Sequence, residues 1–136
     1  ADGKTVFVAD NNPRGNRHLL AFDVQKDGTL KNKKVLFDFA EGRGIDGMTL
    51  DNQGNVYATA GRGDKAGIYV FSPAGKHLAL IPTLGDPPNC VFGVGDSAQT
   101  LYITAQCPPP DKQGQPRRWG LYRITLNSTG QHVWPP

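Results

Sequence analysis

Cysteine is almost missing from this chain: Cys90 and Cys107 are the only two in 136 residues. Two cysteines define no disulfide framework. A bridge between them requires an oxidising compartment, and free thiols are the default, so the compartment stays open. Long apolar runs are also missing. No segment approaches the roughly 20 residues of a membrane-spanning helix, so no membrane partner is expected. The chain opens Ala1-Asp2-Gly3-Lys4, straight into a turn, with nothing resembling a signal peptide. Helical periodicity is absent as well. No stretch of about ten residues keeps apolar positions at i, i+3, i+4 and i+7.

Charge and chemistry are equally sparse. The net charge is +3, and the basic residues are scattered apart from small clusters at 31–34 and at Arg117-Arg118. A nucleic-acid surface needs a basic stripe with exposed aromatics, and none is visible, so no nucleic-acid partner is expected. The histidines, His18, His77 and His132, lie far apart with no metal-ligand spacing. No Gly-x-Ser-x-Gly nucleophile elbow occurs. Gly42-Arg43-Gly44-Ile45-Asp46-Gly47 has the letters of a dinucleotide fingerprint, but it leads into a strand and a turn rather than a helix. Arg62-Gly63-Asp64 spells an adhesion tripeptide, and Asn127-Ser128-Thr129 fits a glycosylation pattern. Each is explained by a plain turn.

What the chain has is punctuation. Gly 17 and Pro 11 are high for this length. Such a composition fits many short strands joined by tight turns. The strands repeat. Thr5 to Ala9, Asn55 to Ala60 and Thr100 to Ala105 each follow a turn and each carry an aromatic, at Phe7, Tyr57 and Tyr102, spaced by 50 and 45 residues. A second trio follows: Leu19 to Phe22, Ile68 to Phe71 and Leu121 to Ile124. Glycine turns come next, at Gly28, Gly75 and Gly130. Last strands run from Lys34 to Phe39 and from His77 to Ile81. In the third unit only His132-Val133-Trp134 remains. Opening strands at Gly44 to Leu50 and Pro88 to Gly93 put Asp46 and Asn89 in the same register. Cys107 to Trp119, rich in proline, reads as a long surface loop.

A four-stranded unit recurring near 45 residues is the signature of a β-propeller blade. The expected fold is all-β: about three blades of a six-bladed ring, in one partial domain with blade boundaries near 1–42, 43–86 and 87–136. Three blades do not close a ring. The first unit lacks its innermost strand, and the chain does not begin with Met. The expectation is therefore a C-terminal half whose partner is the missing N-terminal half of the propeller. Two such chains forming one ring is the alternative.

Asp46 precedes a glycine at the start of an innermost strand, where polar groups face the propeller axis. Oxygen ligands converging there from several blades could hold a hard cation. The competing reading is an Asp-Gly turn closing on its own backbone. Asn89, one blade on, is the matching channel-facing position, or else a cap at a strand start.

At these residues the chain resembles the gluconolactonase and senescence marker protein (regucalcin) family. The stretches that carry the likeness are Gly44 to Ala58, Ile68 to Lys76, Asn89 to Gly93 with Leu101 to Ala105, and Asp2 to Asp10. They occur in the family's order along nearly the whole chain. The resemblance implies a six-bladed propeller that hydrolyses small sugar lactones or related esters around one divalent cation, with Ca2+ favoured and Zn2+ or Mg2+ as alternatives. It implies Asp46 as metal ligand and catalytic carboxylate and a lactone as the small-molecule partner, with the family's substrate-gripping residues expected in the missing half; Asn89, from its channel-facing place, is the expected substrate contact in this chain. The family's other metal ligands, a Glu and the Asn of a Pro-Asn-Gly motif, have no counterpart in this sequence. A non-catalytic propeller used as a binding module is the alternative function.

Overall fold

The computed structural model describes residues 3–12, 14–107, 116 and 118–132. Ten strands fall into three antiparallel sheets, and no α-helix occurs among the described residues. The first sheet holds β1 (Thr5–Asn11), β2 (Arg17–Val24) and β3 (Leu30–Asp38). The second holds β4 (Met48–Leu50), β5 (Val56–Ala60), β6 (Gly67–Phe71) and β7 (His77–Pro82). The third holds β8 (Asn89–Phe92), β9 (Thr100–Gln106) and β10 (Trp119–Thr125). Strands pair in chain order within each sheet, as a meander does.

The local reasons are simple. β2 of the first sheet and β6 of the second end in turns that contain Gly28 and Gly75, at φ +82° and +85°, a conformation that disfavours any side chain. Alternating burial then turns one side of each strand inward; β9 reads buried at Leu101, Ile103 and Ala105. β5 is buried at every residue because sheets flank both of its faces. One apolar cluster joins the first and second sheets through Leu19, Ile45, Val56, Ala58 and Phe71. Another joins the second and third through Tyr57, Ile68, Phe92, Leu101 and Ile103. In that seam Tyr57 meets Phe92 edge to face, with ring centroids 5.1 Å apart.

Three expectations are corrected. β3 begins at Leu30, not Lys34. Its exposed Lys31, Lys33 and Lys34 suit the charged outer edge of a sheet, which discourages pairing with other chains. Gly130 does not close a hairpin. It bridges Asp51, at the end of β4, and its amide donates to Ala98 O at 2.9 Å. The chain there returns to the middle sheet, with Asn52 N–H donating to Thr129 O (2.8 Å) and Gln131 N–H to Leu50 O (2.9 Å). The expected last strand at His132 to Trp134 lies mostly outside the described residues, as does most of the proline-rich loop.

The third correction concerns register. Met48 pairs with Ala58, whereas Asn89 pairs with Thr104. Thr104 is the counterpart of Thr59 in the repeated strand, and Thr59 N–H donates to Gly47 O. Asn89 therefore stands where Gly47 stands, one residue after the Asp46 position. The turn that follows explains the slip. Between β4 and β5 it is tight, while between β8 and β9 it holds an extra 3-10 turn at Gly95–Ser97.

Candidate functional site

Asp46 sits just before β4, at the end of the middle sheet where β5 finishes and β6 begins. Its backbone N–H donates to Thr59 O at 2.9 Å. The neighbouring Gly47 is held by Thr59, whose side chain is fully buried. Thr59 Oγ1 accepts from Gly47 N–H at 2.8 Å and lies 3.0 Å from Gly47 O and 3.1 Å from Pro88 O, to either of which its hydroxyl can donate. A single buried threonine thus ties the Asp-Gly pair to the linker entering the third sheet. The glycine is required for space: a Cβ there would collide with the Asn89 side chain and with Pro88 O.

The Asp46 carboxylate is half exposed, at 52% of its side chain, and its Oδ2 accepts from Arg43 Nη2 at 2.6 Å. Among the described residues its Oδ1 makes no hydrogen bond. Asn89 is exposed, and its Oδ1 accepts from Cys90 N–H at 2.9 Å, the local cap that an asparagine gives a strand start. Its Nδ2 has no partner among the described residues. Asn89 therefore lies against Gly47, the residue next to Asp46, across the seam between the second and third sheets.

Calcium takes about 6–8 oxygen ligands. Among the described residues no three His, Cys, Asp or Glu side chains converge to hold an ion. Asp46, with one carboxylate oxygen unengaged, fits as a single ligand of a hard cation, and the described residues do not complete the shell.

A cavity of about 1060 Å³ opens beside this point, between the first and second sheets. Arg17, Arg43, Arg62 and Lys65 face Asp38 and Glu41 around it. Phe39 and Tyr69, edge to face at 5.4 Å, form an apolar wall. Four of these six charges are already engaged: Arg62 with Asp86 at 3.2 Å, Arg43 with Asp46, Arg17 with Ala40 O at 3.0 Å, and Asp38 with Ala40 N–H at 2.8 Å. Arg62-Gly63-Asp64 is the exposed start of a 3-10 turn (Gly63–Lys65, with Arg62 at its N-cap), tied to Asp86 through Arg62 Nε at 3.2 Å and Gly63 N–H at 3.3 Å.

The cysteines are both free. Burial pushes the Cys90 thiol up to about 12, which makes it inert as a nucleophile. Burial also raises Tyr57 and Tyr69.

The SMP-30/Gluconolactonase/LRE-like family model matches residues 1–106. The chain belongs to that family. It is 32% identical over 111 residues to a gluconolactonase of Zymomonas mobilis, a match that covers 75% of this chain and 30% of that enzyme. A solved luciferin-regenerating enzyme superposes with a TM-score of 0.73 at 23% identity, over 96% of this chain and 44% of that one. The chain thus spans less than half the length of these two relatives. The second likeness establishes the fold: the three sheets are blades of a β-propeller.

Arg43 is the residue that sequence reasoning missed. Its partners Gly61 and Pro87 lie 18 and 44 residues away, so only folding assembles its contacts. The one signal was an arginine between two glycines, three residues before the aspartate.

Proposed function

We propose that this chain contributes to the active centre of a metal-dependent hydrolase of small sugar lactones, with Asp46 as metal ligand and catalytic carboxylate. The observation that carries the reading is the position of Asp46: a half-exposed carboxylate fixed before an inner strand, one oxygen unengaged, in a chain of the gluconolactonase-like family. Likeness to a gluconolactonase supports the lactone as substrate. The remaining ligands would come from further blades of a six-bladed ring, the partner of this chain.

Asp46, an oxygen ligand that suits a hard divalent cation such as calcium, would hold one, and that ion would supply Lewis acidity at the lactone carbonyl and stabilise the oxyanion. Zn2+ and Mg2+ are the alternatives. Asp46 would contribute one oxygen to that ion and, as a carboxylate, orient the attacking water and accept its proton. Asn89, whose Nδ2 has no partner among the described residues, hydrogen-bonds the substrate from the neighbouring blade. Thr59 and Gly47 keep both groups in place.

Asp46→Asn preserves shape and removes the charge. In the intact native protein it is expected to lower kcat for a small sugar lactone by about 100-fold or more, a general-base contribution, and to weaken calcium binding in calorimetry. Unchanged hydrolysis and unchanged binding would sink the assignment.

A further inference from the structure

Arg43 touches three parts of the chain at once. Its Nη2 donates to Asp46 Oδ2 at 2.6 Å and to Pro87 O at 3.1 Å. Its Nη1 donates to Pro87 O at 3.1 Å and to Gly61 O at 3.3 Å. Only 15% of its side chain is exposed, against 52% for Asp46. Two of its three partners are backbone carbonyls, which cannot swing away. Pro87 is fully buried and leads into the third sheet. Gly61, just after β5, is in the left-handed region at φ +72° and is also buried. Gly61 N–H in turn donates to Arg43 O at 2.9 Å, so backbone and side chain of Arg43 grip the same loop.

An exposed aspartate on its own samples several staggered rotamers. A planar guanidinium anchored on fixed carbonyls selects one of them more strictly than an ammonium on a flexible stem does. A half-exposed ion pair contributes a small but measurable coupling to stability, and the larger consequence of this contact is geometric. It holds Oδ2 and leaves Oδ1 as the oxygen available to a cation or a water.

We infer that Arg43 is a positioning residue for Asp46, aiming its Oδ1 and tying that carboxylate to the seam between the second and third blades. The inference rests on the reading of Asp46 as ligand and base. Two effects oppose each other here: the guanidinium repels a second cation, and it orders the ligand in advance. Hydrogen-bond partners of metal ligands typically change affinity or activity by about 10–100-fold when removed, and in the direction of loss.

The test uses the intact native protein with Arg43→Gln and Arg43→Lys. Four quantities are measured: the calcium dissociation constant by calorimetry with calcium chloride, kcat and KM separately for a small sugar lactone, and the unfolding temperature without calcium for Arg43→Gln, Asp46→Asn and the double variant. Arg43→Gln is expected to weaken calcium binding by about 10–100-fold and to lower kcat more than it raises KM, with partial recovery in Arg43→Lys. The unfolding temperatures are expected to be non-additive. Unchanged or tighter calcium binding overturns the proposal, and so does additivity in the thermal cycle. Should Arg43→Gln not fold, Arg43→Lys carries the same comparisons. Should the parent protein bind no calcium and hydrolyse no lactone, the reading of Asp46 fails, and the thermal cycle still decides whether Arg43 holds it.

Discussion

Among single residues, Asp51 shows how a turn can be built from one carboxylate. It is fully buried. Its Oδ1 accepts from Gln53 N–H at 2.9 Å and Asn55 N–H at 2.8 Å, and its Oδ2 from Asn55 Nδ2 at 2.9 Å and Tyr57 OH at 3.3 Å. A buried carboxylate is tolerable only with that many donors. Asp51→Ala strands the donors in a dry site and is expected to cost roughly 2–5 kcal/mol, given about 1–3 kcal/mol for each buried group left unsatisfied. Urea unfolding of the variant measures it, and a loss below about 0.5 kcal/mol would contradict this account. Little of this was readable beforehand. An aspartate followed by Asn-Gln-Gly announces a turn, but only the fold removes water from it.

At the scale of elements, the blades meet through close backbone approach. Gly47 faces Asn89 and Pro88 with no room for a methyl group. Gly47→Ala must push the third blade's first strand away, an overpacking that typically costs about 1–3 kcal/mol. It should also shift Asn89 and so raise KM for substrate more than it changes the position of Asp46. Kinetics with separated kcat and KM report this, and an unchanged KM would show that Asn89 does not contact substrate.

The strands themselves were legible because their signal is local. Period-two alternation, an aromatic in each second strand and glycine turns are all written within a few residues. The register of Asn89 was not legible. Asp46 and Asn89 align by letters, yet a longer turn after β8 moves Asn89 one position along the ladder. A one-residue slip reverses which side of a strand a side chain faces, and turn length sets it. The candidate site was half legible for the same reason. Asp46 stood out beside its glycine, whereas Arg43 owes its role to carbonyls brought from distant loops.

For the whole molecule, the thiol at the seam links stability to pH. Cys90 belongs to the cluster shared by the second and third blades, and its Sγ lies 3.5 Å from Tyr57 O. Burial raises it from the ordinary 9.0 to about 12. A raised acid is kept protonated by the fold, so its contribution is fully present below about pH 9. That contribution is lost as the pH rises toward about 12. Tyr57, raised in the same cluster, adds to the loss. The unfolding temperature is expected to fall steeply above pH 9, and less steeply in Cys90→Ala. Identical alkaline profiles would show that the thiol is not the titrating group.

The return of the chain at residues 129–131 to the middle sheet has a further consequence. Repeats that touch only their neighbours' flanks can fray one at a time from an end. Here the bridge between Gly130 and Asp51 crosses from the last blade to the turn of the one before it. Peeling away the third blade therefore opens the buried carboxylate of the second to water. The two blades are thereby expected to unfold together, and a protease that cuts near residues 129–131 is expected to loosen a turn some 80 residues upstream in the chain.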